Sequence, residues 1–461
     1  MINRILLFLL LTLSLIACKK NDDPEPNLPP AAFTVTAKVA ATGVDVVLTW
    51  TKAKDPNGDP VTYAVVYKDT LAKNLTDTTY TIKNAGYGAT IAGSVVASDN
   101  RKASTSAAFS STTGANPYVA IPDINFEKAL IALKIDDVQD GKLLITSAQT
   151  VTNLSISGKS ITSLQGIEAF VKLTLLFCDG NNLTTLDLSS NPALGRLDCY
   201  NNKLISLDLS KQTALVNLYC YNNNLAGLTL NSPVLNELFS YNNALTSLDL
   251  SKCPKLGNVQ CSNNKLTNLD LSKSTSLVTI DCSFNNLTAI DLTNTVNLSR
   301  LTCTDNKLTT LNVGNCKVLQ SINCRNNSLT NVDVSQNLYL SSLSCEYNQL
   351  SRIDVSKNIN LSGLNCQYNQ LQVLDLSKNS ALTGLHCEYN QLSSLDVGIQ
   401  TNMTHLFCDH NTLSSLDVSK NSRISYLYCF NNKIQTICVK SLSQVGSDWK
   451  KDDSCTYQVC K

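Results

Sequence analysis

Leu194-Gly195-Arg196-Leu197-Asp198-Cys199-Tyr200-Asn201-Asn202-Lys203-Leu204-Ile205-Ser206-Leu207-Asp208-Leu209-Ser210 is one copy of a line that returns 21 residues later at Leu215. Thirteen copies follow one another from Leu173, one of them a residue shorter near Asn231, and a less regular copy from Leu154 to Leu164 precedes them. Leucines at these spacings cannot close a core within a single short unit, so each unit must bury them against the copies on either side. Residues 151–437 therefore predict a mainly β solenoid of about 14 coils around one elongated core. Each copy has two short extended segments, Leu-x-Cys and Leu-Asp-Leu. That predicts a parallel sheet on each of two sides and, at about 4.8 Å per strand, a rod roughly 65 Å long.

Three polar or small columns run along the array. Asparagines from Asn181 to Asn432 stand where the chain leaves the sheet, and a buried amide there satisfies backbone groups that no ladder reaches. Cysteines from Cys178 to Cys429, with Ser240 in one slot, occupy an inward position; buried cysteine behaves as a small hydrophobe, and one straight column lacks the tetrahedral clustering that zinc requires. Reduced core thiols are expected. Aspartates from Asp187 to Asp417 recur in all but two of the coils, and Lys211, Lys252, Lys273, Lys357, Lys378 and Lys420, three residues further on, are the expected counter-charges; a cation-binding surface is the functional alternative.

The repeated Leu-x-x-Leu-x-Cys-x-x-Asn-x-Leu line resembles the leucine-rich repeat superfamily, and in particular its nested 21-residue subclass, sometimes called Irreko repeats, common in secreted bacterial proteins. The match spans more than 280 residues. A solenoid needs capped ends. Residues 117–150 supply the first, with Asp123 starting a helix whose Phe126, Leu130 and Leu133 face the first coil. Residues 438–461 supply the second and resemble the closing segment of the same family, with a Trp and a final Cys. Thiols outside the inner column are few, so a Cys438–Cys460 disulfide is expected, while Cys253, Cys316 and Cys455 stay unassigned and the sequence leaves the pairing open.

Ahead of the array, residues 31–115 alternate apolar and polar positions in about seven runs broken by turn residues. Trp50 on an early run, Tyr63-Ala64-Val65-Val66-Tyr67 and the later Val95, Ala97, Asp99 resemble a fibronectin type III β-sandwich, with Ile91 where that family keeps a corner tyrosine. Asp55-Pro56-Asn57-Gly58-Asp59-Pro60 offers three oxygen side chains at alternate positions, which could hold calcium if further ligands converged, but Asp, Asn, Gly and Pro are what a tight turn demands, and a plain turn is the expectation. Asp136-x-x-x-Asp140-Gly141 faintly resembles a calcium loop, with Val138 and Ser147 where oxygen ligands would be wanted. Residues 1–18 read as a secretory signal, Arg4 followed by the apolar run Ile5 to Ile16, ending in Leu15-Ile16-Ala17-Cys18, which resembles a lipobox that would acylate Cys18. Residues 19–30, polar and Pro-rich, read as a tether, and Lys19 to Asp23 resembles the signals that send lipoproteins of Bacteroidetes-type bacteria to the outer surface. The sequence ends at Lys461 without a sorting domain, as expected if Cys18 is the anchor.

With 37 Lys and Arg against 36 Asp and Glu, there is no basic excess to neutralise a phosphate backbone, so nucleic acid is not an expected partner. Polar residues spread in columns rather than converging, no nucleophile motif accompanies His386, His405 and His410, which read as exposed surface, and neither catalysis nor a cofactor is expected. Binding is better supported. Phe177, Tyr200, Tyr219, Tyr221, Phe239 and Tyr241 near the start, and Phe407, Tyr426, Tyr428 and Phe430 near the end, flank the inward cysteine and project from the sheet. The expectation is a non-enzymatic adhesion or recognition lipoprotein at the outer membrane or cell surface, binding a protein or glycan through this face and the membrane through its lipid. A structural spacer or envelope scaffold without a specific ligand is the alternative, since stacked rings also stabilise a sheet by themselves.

Overall fold

A computed structural model describes residues 24–460, so the signal and lipobox cysteine, Cys18, lie outside the described residues. The chain divides into two compact units with the boundary between Asn116 and Pro117.

The first unit is built from the predicted alternation. Strands β1 (Val35–Val39), β2 (Val46–Trp50), β3 (Thr62–Tyr67), β4 (Asp69–Leu75), β5 (Thr79–Ile82), β6 (Thr90–Ser98) and β7 (Ser104–Thr112) form two antiparallel sheets, β1-β2-β5 and β4-β3-β6-β7. Val46, Leu48 and Trp50 from one sheet and Tyr63, Val65, Ile91, Val95, Ala97 and Phe109 from the other share a single core, so the unit is a β-sandwich. Ile91 is fully buried in that core.

The second unit is a leucine-rich solenoid. One parallel sheet of 15 strands runs through it, in steps such as Leu197 over Leu218. Fourteen of these strands come from the coils, and the fifteenth is Trp449–Lys450 of the C-terminal cap, which pairs with Tyr426–Tyr428. Each coil strand spans three residues, with the central apolar side chain buried and both neighbours generally less so, as in Asn217–Tyr219. Strands stay this short because the third residue beyond each turns the chain. At that position Asn201, Asn222, Asn242 and Asn263 adopt φ of 53–54°, the left-handed region that asparagine tolerates best.

The ladder asparagine completes the turn and ties coils together. Asn264 Oδ1 accepts from Leu245 N of the preceding coil at 3.0 Å, while its Nδ2 donates to Ser240 O of that coil at 3.0 Å and to Cys261 O of its own at 3.1 Å. Inside this arc the ladder cysteines are fully buried or nearly so, and free. Burial pushes their thiols up, Cys220, Cys261 and Cys303 to about 12, which suppresses the nucleophilic thiolate.

The second side departs from expectation. Leu-Asp-Leu segments pair as strands only at Ser206–Leu209 with Gly227–Leu230, and at the end, where Leu416–Asp417, Thr436–Val439 and Thr456–Val459 form a small sheet. Elsewhere single bridges such as Asp270 to Asp291 remain. Each segment runs into a local turn: Asp249 Oδ1 accepts from Ser251 N and Asp375 Oδ1 from Ser377 N, both at 2.9 Å, and Asp208 in the paired segment accepts from Ser210 N in the same way. Asn312 does the same for Gly314 N at 3.1 Å, so the position needs an acceptor and not a charge. Nor do lysines neutralise this column: among the described residues none of them forms an ion pair with it. Hydrogen bonds from Ser251 hold the Asp249 carboxyl below its usual range, with Lys252 a lesser contributor.

A second inward column, unrecognised in the sequence, follows each of these turns: Asn191, Gln212, Ser232, Cys253, Ser274, Thr295, Cys316, Asn337, Asn358, Asn379, Gln400 and Asn421 are all buried. Asn358 Nδ2 donates to Val334 O at 3.1 Å and Asn337 O at 2.9 Å, repeating on this side the stitching of the first ladder. Cys253 and Cys316 thus have a place, filling slots of this column. The short coil is accommodated here too: Leu218 pairs with Leu238 at a step of 20, and buried Ser232 donates to Leu215 O at 2.6 Å.

Both ends are closed. Helix α1 (Ile124–Ala132) is capped by Asp123, whose Oδ1 accepts from Asn125 N and Phe126 N and whose Oδ2 accepts from Thr162 N at 2.7 Å. Phe126 and Leu130 are fully buried against the first coils, but Leu133 is exposed, because the helix ends at Ala132 and Lys134 turns left-handed at φ 59°. At the far end Trp449 is buried, and a disulfide joins Cys438 to Cys460. Cys455 is a buried free thiol. Among the described residues no helix is long and apolar enough to cross a membrane.

Removing one ladder amide exposes its weight. Asn264→Ala strips the acceptor from Leu245 N, a buried donor worth about 1–3 kcal/mol when left bare, and leaves Ser240 O with Asn243 Nδ2 alone. Its urea midpoint is expected to fall clearly below that of Lys265→Ala, an exposed neighbour; equal midpoints would remove the amide from the account.

Candidate binding face

Parallel register places equivalent positions of successive coils about 4.8 Å apart, so side chains that leave the sheet form columns. Their chemistry changes along the solenoid. In the column one residue after the ladder cysteine, Tyr200, Tyr221 and Tyr241 occupy three early coils, and Glu346, Gln367, Glu388, Asp409 and Phe430 five late ones.

In the early patch the rings cover one another. Tyr200, Tyr221 and Tyr241 stack face to face at 4.4 Å between centroids, and Tyr219 meets Phe239 edge-on at 5.0 Å. Arg196 lies over both Phe177 and Tyr219, at 5.2 and 4.9 Å, while its guanidinium forks onto Asp198 at 2.8 and 2.9 Å. Tyr219 donates its hydroxyl to Glu237. The patch is pre-organised, but its six rings are half-buried rather than freely exposed.

In the late patch Phe407 stacks on Tyr428 at 4.5 Å, Tyr428 holds Lys450 over its face at 4.6 Å, and Tyr426 stacks on His405 at 4.9 Å. Of the ten aromatic residues anticipated on the face, only Tyr426 is exposed. The three histidines are not plain surface: each is half-buried in a ring cluster, His386 against Phe407 at 4.5 Å and His410 on Tyr389 at 3.9 Å. Ring stacking covers what the sequence presented as solvated.

A further exposed ring stack is one the sequence reading passed over. Tyr347, Tyr368 and Tyr389 stack at 4.3 Å, with the Arg325 guanidinium 5.0 Å above Tyr347 and His410 closing the other end. Each tyrosine is 37–39% exposed. They occupy the left-handed turn position, at φ 54–56°, where six other coils place asparagine and three more place Phe284, Asp305 and His410. A bulky side chain there costs on the order of 1 kcal/mol, and three in succession are not explained by the turn. The repeated Cys-x-Tyr-Asn of Cys345–Asn348, Cys366–Asn369 and Cys387–Asn390 was the available signal.

Beside that stack lies a row of buried acceptors. Glu346 Oε2, Gln367 Oε1 and Glu388 Oε2 have no hydrogen-bond partner. Burial, reinforced by Asp409 and Glu346, pushes the Glu388 carboxyl up to about 7, and burial likewise raises Glu346. His386, whose Nδ1 is 4.0 Å from Glu388, is shifted down by burial and by His405. Near neutrality this row is poised to accept hydrogen bonds, and partly to donate them. The concavities on the other side, lined by Thr185, Asp187 and Ser189 or by Ser206, Asp208 and Lys211, are grooves between successive aspartate turns.

Comparison with solved structures agrees with this architecture. The functional domain of InlJ from Listeria monocytogenes, which includes a cysteine ladder, superposes with a TM-score of 0.62 at 30% identity, over 72% of this chain and 80% of that one. The internalin InlF of the same species follows at 0.58 and 24%, over 69% and 95%. A leucine-rich repeat protein of Leptospira interrogans follows at 0.57 and 22%, over 68% and 93%. No protein-family model and no curated protein matches the sequence.

The raised Glu388 carboxyl fixes a pH dependence. Between its ordinary value of 4.5 and about 7 the folded chain holds a proton that the unfolded chain releases, so stability falls as pH rises through that window. Glu388→Gln, which copies the neighbouring Gln367, is expected to match the parent near pH 4.5 and to melt progressively higher than it up to pH 8. A gap independent of pH, or one that shrinks on the way up, contradicts the assignment.

Proposed function

Because the chain belongs to the leucine-rich repeat family, whose fold is typical of protein-interaction modules, we propose that it is a non-enzymatic recognition or adhesion protein that binds a protein or glycan through the sheet side of the solenoid. The carrying observation is the stack of Tyr347, Tyr368 and Tyr389. These tyrosines are held in a costly backbone conformation and stay 37–39% exposed although their faces stack, alongside Glu346, Gln367 and Glu388, each of which has one oxygen without a donor. Strained residues persist where function selects them. A ligand offering a flat apolar surface and hydrogen-bond donors matches both features, and a protein segment or a sugar ring has this chemistry.

Display at the outer membrane or cell surface through a lipid on Cys18, and a fibronectin type III identity for the sandwich, belong to the same reading. The first rests on Leu15-Ile16-Ala17-Cys18, the second on the three-plus-four strand arrangement together with Trp50 and Tyr63. The spacer alternative draws support from the early patch, where Tyr200, Tyr221 and Tyr241 are covered mainly by each other and so stabilise the sheet.

Two triple variants separate the readings when the full chain is applied to protein and glycan arrays. Replacing Tyr347, Tyr368 and Tyr389 by serine is expected to lower binding at least about tenfold, as the loss of a hot spot does. Replacing Tyr200, Tyr221 and Tyr241 by serine is expected to lower thermal stability more than binding. Full retention of binding by the first variant, or no ligand for the parent, favours the spacer. In cells Cys18→Ala should shift the chain from the membrane to the soluble fraction; an unchanged distribution defeats the anchor.

A further inference from the structure

The sandwich carries a feature that the binding face does not use. Asp55 and Asp59 stand on the turn between β2 and β3, and Asp99 on the turn after β6, 40 residues beyond Asp59 in sequence; folding brings one carboxylate oxygen of each within 4.8 Å of the others. Ligands on opposite sides of a calcium ion, each at about 2.3–2.6 Å, lie about 5 Å apart, so the cluster has the dimensions of a single ion's shell.

The hydrogen bonds leave this cluster unfinished. Asp55 Oδ1 accepts from Asn57 N at 2.8 Å and Asp59 N at 3.1 Å, and Asp99 Oδ1 from Arg101 N at 2.8 Å and Ala103 N at 2.9 Å. These bonds fix both carboxylates rigidly and use one oxygen of each. The second oxygens, Asp55 Oδ2 and Asp99 Oδ2, are buried without a hydrogen-bond partner, and Asp99 as a whole is only 7% exposed. A bare buried carboxylate oxygen is costly unless a cation or donor meets it. The one guanidinium at the cluster, Arg101, directs its Nε and Nη2 to Asp59 Oδ2 alone. Three carboxylates against one guanidinium leave two negative charges.

We propose that Asp55, Asp59 and Asp99 form a divalent-cation site with the all-oxygen chemistry of calcium. Calcium suits it better than magnesium, because the ligands come from two turns and need not meet octahedral geometry, and calcium gives up water more readily. The sequence favours a plain turn at 55–60 over calcium for want of further ligands, and Asp99, the buried member that converges on it, is invisible without the fold. The ion would also brace the start of the domain: Asn57 Oδ1 accepts from Leu28 N at 2.9 Å, and Thr105, beyond the Asp99 turn, donates to Pro30 O.

Calorimetric titration of the full chain, stripped with a chelator, with calcium chloride and separately with magnesium chloride tests the site. One calcium per chain is expected, with a Kd on the order of 0.1–1 mM, as in extracellular modules, and weaker binding of magnesium. Asp99→Asn and Asp59→Asn should each weaken calcium binding at least about tenfold, whereas Asp187→Asn on the solenoid should not. Asp59 is less buried than Asp99, so its variant decides the matter if Asp99→Asn fails to fold. Absence of calcium binding in the parent, or binding undiminished in a folded Asp59→Asn, overturns the proposal.

Discussion

A side-chain amide shared between two coils is what the solenoid depends on. Leucine burial gives the coils a reason to stack, but burial alone is indifferent to sliding, and a sheet only three residues wide offers few backbone bonds to prevent it. The ladder asparagines remove that freedom. Each satisfies carbonyls of its own coil and the preceding one, so a shifted coil would leave several buried groups bare at once. The second column, with Asn358 and its neighbours, does the same on the opposite arc. Chain reversal, register and polar satisfaction therefore share one cause, and the cysteines can remain plain apolar filler.

Much of the array was legible because a repeat states its own rules many times over. The position of each central leucine, the buried thiols and the capping role of Asp123 follow from spacing and residue type. The second sheet was not legible. Leu-Asp-Leu reads as a strand, yet most copies do not pair, and the aspartate's bond to the backbone donor two residues on is made in paired and unpaired copies alike. The same carboxylate suggested a need for lysine counter-charges, whereas backbone and hydroxyl donors perform that work. Leu133 was misplaced because helical periodicity does not reveal where a nine-residue helix stops.

The binding face was legible in location and not in emphasis. Aromatic residues beside the inward cysteine were easy to find, but whether a ring faces water depends on its neighbour one coil away. Tyr221 lies between two partners and loses much of its surface. Tyr347, Tyr368 and Tyr389 stack just as closely but sit on a left-handed turn that tips them outward, and only backbone geometry reports this. The strain is tolerable because the ladder asparagine that follows each of them anchors the turn. Stability spent in the core thus permits unfavourable choices at the rim.

The coil that is one residue short has a wider meaning. Its missing residue falls in the outer arc between Leu230 and Leu235, next to Pro233, while the sheet side continues without a break from Leu218 to Leu238. Length is therefore edited on one flank of the molecule and conserved in geometry on the other. An inserted epitope, fluorophore loop or second domain belongs on that outer flank, where a protein engineer can lengthen the chain and leave the recognition surface undisturbed.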